Sequence, residues 1–491
     1  MSTPTEPTQA EIRRAKLESI ESLGGTGYAY RFDRTATLGE LTSEYSQLAP
    51  DSQTGKEVAV AGRVMTLRVH GKAAFADLKD VSGTIQLFAK QDLLGDGFAS
   101  FCDLDVGDWI GAKGEIVTTR KGELSVQMDS FELLSKSLRP WPEKWHGLKD
   151  VEQRYRQRHL DLATNPEVVE IFKIRRRVVD ALRTWLSERN FVEVETPMLQ
   201  PIAGGALARP FKTHHNTLDM DMYLRIAPEL YLKRLVVGGM ERVFEINRVF
   251  RNEGVSSVYN PEFTMLEAYQ AFADYEDMAE ILESLVRTAA LAATGKETLS
   301  FDGREIDVSK PFRRARLIDL VSEAGVDVKG DLVSESERMG VSVDPKWPWG
   351  KLLVELFEKL VEPHLFEPTF VMDYPVEVSP LARRHRTDER FTEHLDLTIA
   401  GFEIAPAYSE LIDPVDQRQR FEAQSAERAG GDEEAHAQDE DFLRALEYGM
   451  PPTGGLGLGI DRLCMLAAGV PSIREVILFP ALRPEHRPHD E

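Results

Sequence analysis

The sequence predicts an α+β protein, with a small closed β-barrel ahead of a larger domain made of an antiparallel sheet flanked by helices. Two observations lead there. Between Val58 and about Leu133 the chain breaks into five short β-rich runs, several of them separated by turns at Gly71-Lys72, Ser82-Gly83 and Lys121-Gly122. Farther on, alternating runs such as PTFVMDYP and LDLTIAGFEIAPAYSEL return without the strand–helix repeat of a doubly wound fold, and no GxxxxGKS/T phosphate loop is present.

Composition sets the outer limits. With 491 residues the chain has room for at least two cores, and 42% apolar with 29% charged residues is the balance of an ordinary globular protein. No apolar run is long enough to span a bilayer, and MSTPTEPTQAEIRRAK lacks the apolar stretch of a secretory signal. Only Cys102 and Cys464 occur, far apart, which excludes a disulfide framework and a cysteine-rich zinc site. The cytoplasm is the expected compartment. A net charge of −23 argues against indiscriminate nucleic-acid binding but leaves room for a local basic face. Three basic clusters, Arg175-Arg176-Arg177, Arg313-Arg314 and Arg383-Arg384-His385-Arg386, read equally well as solvated helix and loop faces.

Taken in order, residues 1–52 read as a polar helical extension, with EIRRAKLESIESL as a short amphipathic helix. Residues 53–139 hold the barrel, and five strands with this punctuation fit an OB-fold best. A stretch rich in Pro, Trp and Gly opens a linker over 140–160, and residues 161–491 form the larger domain. There Asn165 is placed to cap a helix with Pro166 at its first position, and Val168, Ile171, Ile174, Val178, Leu182 and Trp185 form its apolar stripe. The strand FVEVETPML follows. A helix is expected over Glu276–Ala293, a helical insertion at about 304–362, and a solvated helix in the acidic stretch GGDEEAHAQDEDF.

The most informative segment is RVFEINRVFRNEGVSSVYNPEFTMLEAY, residues 242–269. Strand alternation puts Glu245, Asn247, Arg251 and Glu253 on one face and Phe244, Ile246 and Phe250 on the other. After a turn at Gly254, Phe263, Met265, Glu267 and Tyr269 share one face of a second strand. An arginine, an aromatic ring and carboxylates gathered on one surface suit a nucleotide triphosphate beside a cationic amino acid. Near the C-terminus, GGLGLGIDRLCML places Gly454, Gly455, Gly457 and Gly459 before a helix that carries Arg462, so backbone can pass close beneath a ligand.

These segments resemble motifs 2 and 3 of the class II aminoacyl-tRNA synthetases, and FEINRVFRNEG, NPEFTMLE, THHNTLDMDMYLRIAPELYLKRLVVGG and PSIREVILFP resemble the lysyl family, from about Ala15 to Pro484. The resemblance implies a class II catalytic domain behind an OB-fold anticodon-binding domain. It further implies ATP-dependent formation of lysyl-adenylate, transfer of lysine to tRNA(Lys), and a homodimer joined through the helix–strand ending at Pro197. Partners would then be ATP, lysine or a related amino acid, and tRNA, with no membrane. Arg251 would bridge the α-phosphate and the substrate carboxylate, and Arg462 would hold the far phosphate. Phe263 would stack on adenine, with Glu253, Asn260, Glu403 and Gly459 completing the nucleotide site. Gly205, Glu229, Glu267, Tyr269, Tyr408 and Glu410 would form the amino-acid pocket, Glu229 taking the α-ammonium and Glu267, Tyr269 and Glu410 the side-chain ammonium. Glu403 and Glu410 would ligate Mg2+; seven residues apart, they need a bend in the strand between them, expected around Pro406. In the barrel, Arg68, Phe75, Gln86 and Glu123 would read the anticodon by stacking and edge hydrogen bonds.

The chain departs from the family in two places. The motif 2 loop carries Val258 and Tyr259 where the family usually has an Arg-His pair, and EIAPAYSEL carries Pro406, Ala407 and Tyr408 where it has Asn-Ala-Phe or Asn-Gly-Phe. Two other functions therefore stay open at this point. One is a paralogue activating another amine-bearing amino acid for a non-translational acceptor. The other is a catalytically impaired tRNA-binding protein.

Overall fold

A computed structural model describes residues 7–22, 25–141, 148–429 and 438–484. The chain divides into two compact units, Met1–Lys149 and Asp150–Glu491. In the first, strands β1 (Gln53–His70), β2 (Ala73–Lys79), β3 (Thr84–Lys90), β4 (Trp109–Thr118) and β5 (Leu124–Ser135) close a barrel in the order β1-β2-β3-β5-β4. Period-two alternation explains the closure. Ala74, Ala76 and Leu78 of β2 point inward, as do Ile85, Leu87 and Ala89 of β3, and they pack with Val60, Val64, Ile110 and Val126. The helix Gln9–Ser22 precedes the barrel, and buried Arg13 donates from it to the carbonyls of Val106, Ser137 and Arg139.

The second unit is built on an eight-stranded sheet. In chain order its strands, with those of two smaller sheets, are β6 (Val192–Glu193), β7 (Leu199–Gln200), β8 (Lys212–His215), β9 (Met220–Leu224), β10 (Arg242–Phe250), β11 (Glu262–Ala271), β12 (Thr298–Phe301), β13 (Arg304–Asp307), β14 (Arg313–Arg316), β15 (Thr369–Met372), β16 (His394–Ile399), β17 (Phe402–Ser409) and β18 (Thr453–Gly459). The large sheet runs β14-β15-β16-β17-β18-β11-β10-β6, antiparallel through its centre and parallel only at the two edge pairs. The helix Tyr275–Thr294 lays Met278, Leu282, Leu285 and Val286 on one face of this core, and an Asp274 capping box starts it.

Several boundaries differ from the sequence reading. Of the residues assigned to the linker, 151–156 and 158–160 lie within the helices Val151–Arg156 and Arg158–Thr164, with Gln157 as the turn between them; residues 142–147 fall outside the described part. The insertion opens with strands β13 and β14 before its helices Leu317–Glu323, Leu332–Met339 and Trp349–Leu360. FVEVETPML is broken into two short strands, and Pro197 lies between them. Asn165 does precede the helix Pro166–Ser187, but its side-chain amide donates to Asp161 at 2.6 Å instead of accepting from the helix. Most of the acidic stretch, residues 430–437, is outside the described residues.

One carboxylate ties three elements together. Asp461, on the first turn of the helix Ile460–Ala468, accepts from the Thr264 backbone of β11 at 2.6 Å and from Arg175 of the helix Pro166–Ser187 at 2.5 Å. Arg175 is therefore structural, whereas Arg176 and Arg177 of the same basic run are exposed. Replacing Asp461 with Ala should cost about 3 kcal/mol, because a half-buried guanidinium and a buried backbone N–H are left without their acceptor. The joint replacement Asp461→Leu with Arg175→Met should cost less. Denaturant unfolding of both variants measures this; equal losses would show that packing, not the ion pair, is responsible.

Candidate active site

The hairpin β10–β11 forms the floor of the site, in a register that places Glu245 opposite Glu267 and Asn247 opposite Met265. The two glutamates fare differently. Glu245 is bound by Arg225 at 2.7 Å and by Thr196, while Glu267 has the Tyr269 hydroxyl as donor at 3.1 Å. β10 ends at Phe250, so Arg251 and Glu253 belong to the loop and not to the predicted strand face. Two cavities open here, of about 430 and 550 Å³. Both are lined by Arg251, Met265, Glu403 and Pro406, so they meet at Arg251. The Arg251 guanidinium lies 5.2 Å from the centre of the Phe263 ring, and its Nε is buried without a hydrogen-bond partner.

The larger cavity gathers Glu253, Asn260, Phe263, Glu403, Gly459 and Arg462, as the motifs led one to expect. Two of these are more committed than the sequence indicated. Asn260 is buried, donates to the Glu262 carbonyl at 2.5 Å and accepts from the Ala481 backbone at 3.0 Å, so it fastens the loop. Arg462 donates to the Glu403 carbonyl at 2.6 Å and lies 5.3 Å from the Tyr259 ring centre. Tyr259 thus stacks on the arginine, a cation–π contact, and Val258 packs against the apolar core.

The smaller cavity holds Gly205, Glu229, Glu267, Tyr269 and Tyr408. Gly205 has φ +92°, and a Cβ there would come within 3.1 Å of Ala227 and Glu229, so glycine is required. Burial, with Glu229 adding its charge, holds the Glu267 carboxyl well above the usual carboxylate range. Glu410 is not part of this lining. It turns to the fully buried Lys233, which also pairs with Glu229 at 2.6 Å, and it borders a separate cavity of about 380 Å³.

β17 explains how Glu403 reaches the site. Against β16, Leu397 pairs with Ala405 but Thr398 with Glu403, so Ile404 is an extra residue. This bulge puts Glu403, Pro406 and Tyr408 around one cavity; it lies two residues before the expected position at Pro406. The paired-glutamate expectation is corrected accordingly. Glu403 stands by Arg462 and Arg251, with its carboxyl raised by burial and by Asp396, while Glu410 is engaged by Lys233. No three His, Cys, Asp or Glu side chains converge as a metal cage among the described residues.

Sequence reasoning missed several lining residues. Glu358 comes from the helix Trp349–Leu360, and nearby Glu362 is pushed up to about 8 by burial and then by Glu403 and Glu358. His394 and Asp396 stand directly opposite Tyr408 and Pro406 on β16. The His394 ring bridges Ser379 at 2.7 Å and Asp396 at 3.0 Å and lies between the rings of Tyr374 and Tyr408. Alternation along HLDL was the signal that could have found them.

In the barrel unit, Arg68, Phe75, Gln86 and Glu123 all border one cavity of about 850 Å³. Phe75 faces outward and stacks on Phe88, with ring centres 4.8 Å apart and planes at 7°. Gln86 accepts from Ser125 at 3.0 Å, and Arg68 pairs with Asp77 at 3.2 Å. Phe88 and Lys90, on the same outward face of β3, complete the surface and were readable from the alternation of TIQLFAK.

The family profile described as tRNA synthetases class II (D, K and N) matches residues 150–483, and one described as an OB-fold nucleic acid binding domain matches residues 58–134. The chain belongs to the class II tRNA synthetases. Among its relatives is the lysine–tRNA ligase of Carboxydothermus hydrogenoformans, 52% identical over 96% of this chain and 98% of that protein. The lysine–tRNA ligases of Thermosynechococcus vestitus and Xanthomonas oryzae pv. oryzae are each 51% identical, over 97% and 96% of this chain and 98% and 96% of theirs.

For this synthetase the Glu267 environment gives a signed pH dependence. Its folded pKa is raised, so ionising the buried carboxyl costs stability, from nothing below the free value of about 4.3 to the full amount above the folded value. Each pH unit between the two values is worth about 1.4 kcal/mol. Glu267→Gln should therefore stabilise the ligand-free protein, by a margin in thermal unfolding that is absent below the free carboxylate value and widens as the pH rises from there toward the folded value. A margin that is the same below the free value as at neutral pH would count against a strained carboxyl.

Proposed function

We propose that this synthetase forms lysyl-adenylate from lysine and ATP and transfers the lysyl group to the 3′ end of tRNA. The observation that carries the reading is the pair of cavities meeting at Arg251, one holding buried carboxylates and the other an aromatic ring and a second arginine. Two acidic positions, Glu229 and Glu267, suit the two ammonium groups of lysine. The names of the relatives agree with that substrate. Tyr408 would lie along the substrate chain, and Gly205 would let it approach the backbone.

The reaction joins a carboxylate that is already ionised to the α-phosphorus, so no general base is required. What must be supplied is alignment and stabilisation of growing negative charge. Arg251, with its free Nε at the junction, would hold the lysine carboxylate against the α-phosphate. Phe263 would stack on adenine, Glu253 would border the nucleotide, and Arg462 would leave Tyr259 to meet the far phosphate. Gly459 keeps the wall clear, because the nearest atom to a Cβ there is the Ile404 carbonyl at 3.4 Å.

Magnesium fits this donor set in part. It commonly takes one or two carboxylates and completes its shell with phosphate and water, which suits Glu403 with Glu358 or Glu362 nearby. When bound, the ion would supply neutralisation of the phosphate charge. Glu410 does not fit that role while Lys233 holds it. Asn260 is read as a fastening of the loop in place of a nucleotide contact.

The barrel would bind the anticodon, with bases stacking on Phe75 and Phe88 and Arg68, Gln86 and Glu123 at their edges. The family resemblance further supports a homodimer in the cytoplasm. Among the described residues no helix is long and apolar enough to cross a membrane.

ATP–pyrophosphate exchange over a panel of amino acids tests the reading, with lysine expected to be preferred. Arg251→Ala should lower the exchange rate about 10²–10³-fold with the fold intact, as expected for a donor that acts on developing charge. Normal exchange by a folded Arg251→Ala protein would remove it from the site. Phe75→Ala should weaken tRNA charging by about 1–3 kcal/mol and spare exchange; equal loss in both assays would make Phe75 merely structural.

A further inference from the structure

The loop between β10 and β11, residues 251–261, brings Arg251, Glu253, Val258 and Tyr259 to the larger cavity without a strand ladder of its own. Other parts of the chain hold it. On one limb the Asn252 N–H donates to the Arg209 carbonyl at 2.7 Å. On the other, the Ile473 N–H donates to the Ser257 carbonyl at 2.7 Å, and the Ala481 N–H to the Asn260 side chain at 3.0 Å. Ile473 also borders the cavity itself. Between these two anchors lie Val258 and Tyr259, and Tyr259 stacks on Arg462. The segment 473–481 therefore sets where that limb of the loop sits.

That segment is gripped in turn by the helices Val151–Arg156 and Arg158–Thr164. Glu475 accepts from the Tyr155 hydroxyl at 2.8 Å and from Arg154 at 3.2 Å. Fully buried Arg158 donates to the carbonyls of Arg474 at 2.8 Å and Leu478 at 3.0 Å, and Arg156 to that of Arg483 at 2.6 Å. Asp161 balances both Arg154 and Arg158. Burial, and then the Glu475 carboxylate, push the Tyr155 hydroxyl up to about 12, so it stays a donor. Of these contacts only the two at Glu475 use a side chain of the segment, and both are charge-assisted. We propose that Glu475 is a positioning residue for ATP: held by Tyr155 and Arg154, it fixes the segment 473–481, and through Ser257 and Asn260 the loop whose Tyr259 backs Arg462. This rests on reading the larger cavity as the nucleotide site. It assigns the helices 151–164 a task in nucleotide binding, although among the residues bordering that cavity none comes from them.

The test uses the full chain carrying Glu475→Ala, Glu475→Gln, Tyr155→Phe or Asn260→Ala, and the pair Glu475→Ala with Asn260→Ala. ATP affinity is read twice, as KM in lysine-dependent ATP–pyrophosphate exchange and as Kd by calorimetric titration with magnesium and no amino acid. For Glu475→Ala both ATP values should rise about tenfold, while the lysine KM stays within about twofold of wild type. Glu475→Gln, which keeps one acceptor, and Tyr155→Phe, which removes one donor, should each weaken ATP about threefold. The paired variant should differ from the product of its two single effects by at least about threefold, because both changes act on one loop. If Glu475→Ala does not fold, Glu475→Gln and Tyr155→Phe carry the same comparison of ATP with lysine. Unchanged ATP values in a folded variant, or equal weakening of ATP and lysine, would overturn the proposal and leave Glu475 a contact of the fold. A paired variant that shows the simple product overturns it as well. Wild-type protein that binds ATP but shows no lysine-dependent exchange sinks the lysine reading alone, and the Kd series still decides the role of Glu475. Wild-type protein that binds no ATP removes the nucleotide cavity and this proposal together.

Discussion

The site depends first on the Asp461 carboxylate. A buried anion is costly unless its lone pairs are filled, and here the Thr264 backbone and the Arg175 guanidinium fill them. Those two partners come from β11 and from the helix Pro166–Ser187, so satisfying one carboxylate fixes three elements against each other. The next residue is Arg462, which is why its side chain is directed into the larger of the two cavities and not left to the choice of a surface rotamer. Gly459, two residues before Asp461, pairs with Met265 in the same register. Arg462 and the floor of the cavity are thus set by one contact.

From that register the depth of the cavities follows. β18 places Gly455, Gly457 and Gly459 opposite Tyr269, Glu267 and Met265. Period two puts these glycines on the same face as the three large side chains, so the space for a substrate is space that β18 side chains do not fill. At Gly455 the vacated volume is taken by Tyr269 and Glu410. At Gly457 nothing lies nearer than 3.6 Å to a Cβ, which leaves room beside Glu267. The same sequence feature therefore serves two purposes, one packed and one open.

Local periodicity made much of this readable beforehand. The barrel strands, the β10–β11 hairpin and the outward faces of Phe75 and Gln86 all follow from alternation, which is a property of neighbouring residues. What alternation does not contain is the partner of each charge. Nothing local to Lys233 names its partners, and only the approach of the end of β17 to the helix Glu229–Val237 brings Glu410 onto it. The loop contacts of Asn260 were out of reach for a similar reason, since Ala481, whose backbone donates to it, lies 221 residues away. The bulge at Ile404 was required by the spacing of Glu403 and Glu410, but its position was settled by pairing with β16. The lining contributed by Glu358 belongs to an insertion whose docking no motif announces.

The departures from the family are best understood through their neighbours. Val258 has joined the apolar core, and Tyr259 covers the Arg462 guanidinium, so that loop loses basic groups but gains a ring that holds the remaining arginine. Pro406 sits just after the bulge, and β17 pairs with β18 only over Ala407–Ser409. A proline at the end of a ladder, beside a bulge, gives up fewer sheet hydrogen bonds than one in mid-strand. Asp396 faces it across β16 and borders the same cavity, and His394 supports the Tyr408 ring at 4.5 Å. The side-chain amide expected on β17 is absent, yet polar groups remain one strand away, held by Ser379 and Tyr374 through the His394–Asp396 pair. Because the substitutions on β17 are matched by cross-strand partners on β16, the pocket wall has changed as a unit while the buried carboxyl groups of Glu229, on the first turn of the helix Glu229–Val237, and of Glu267, on β11, lie outside that unit.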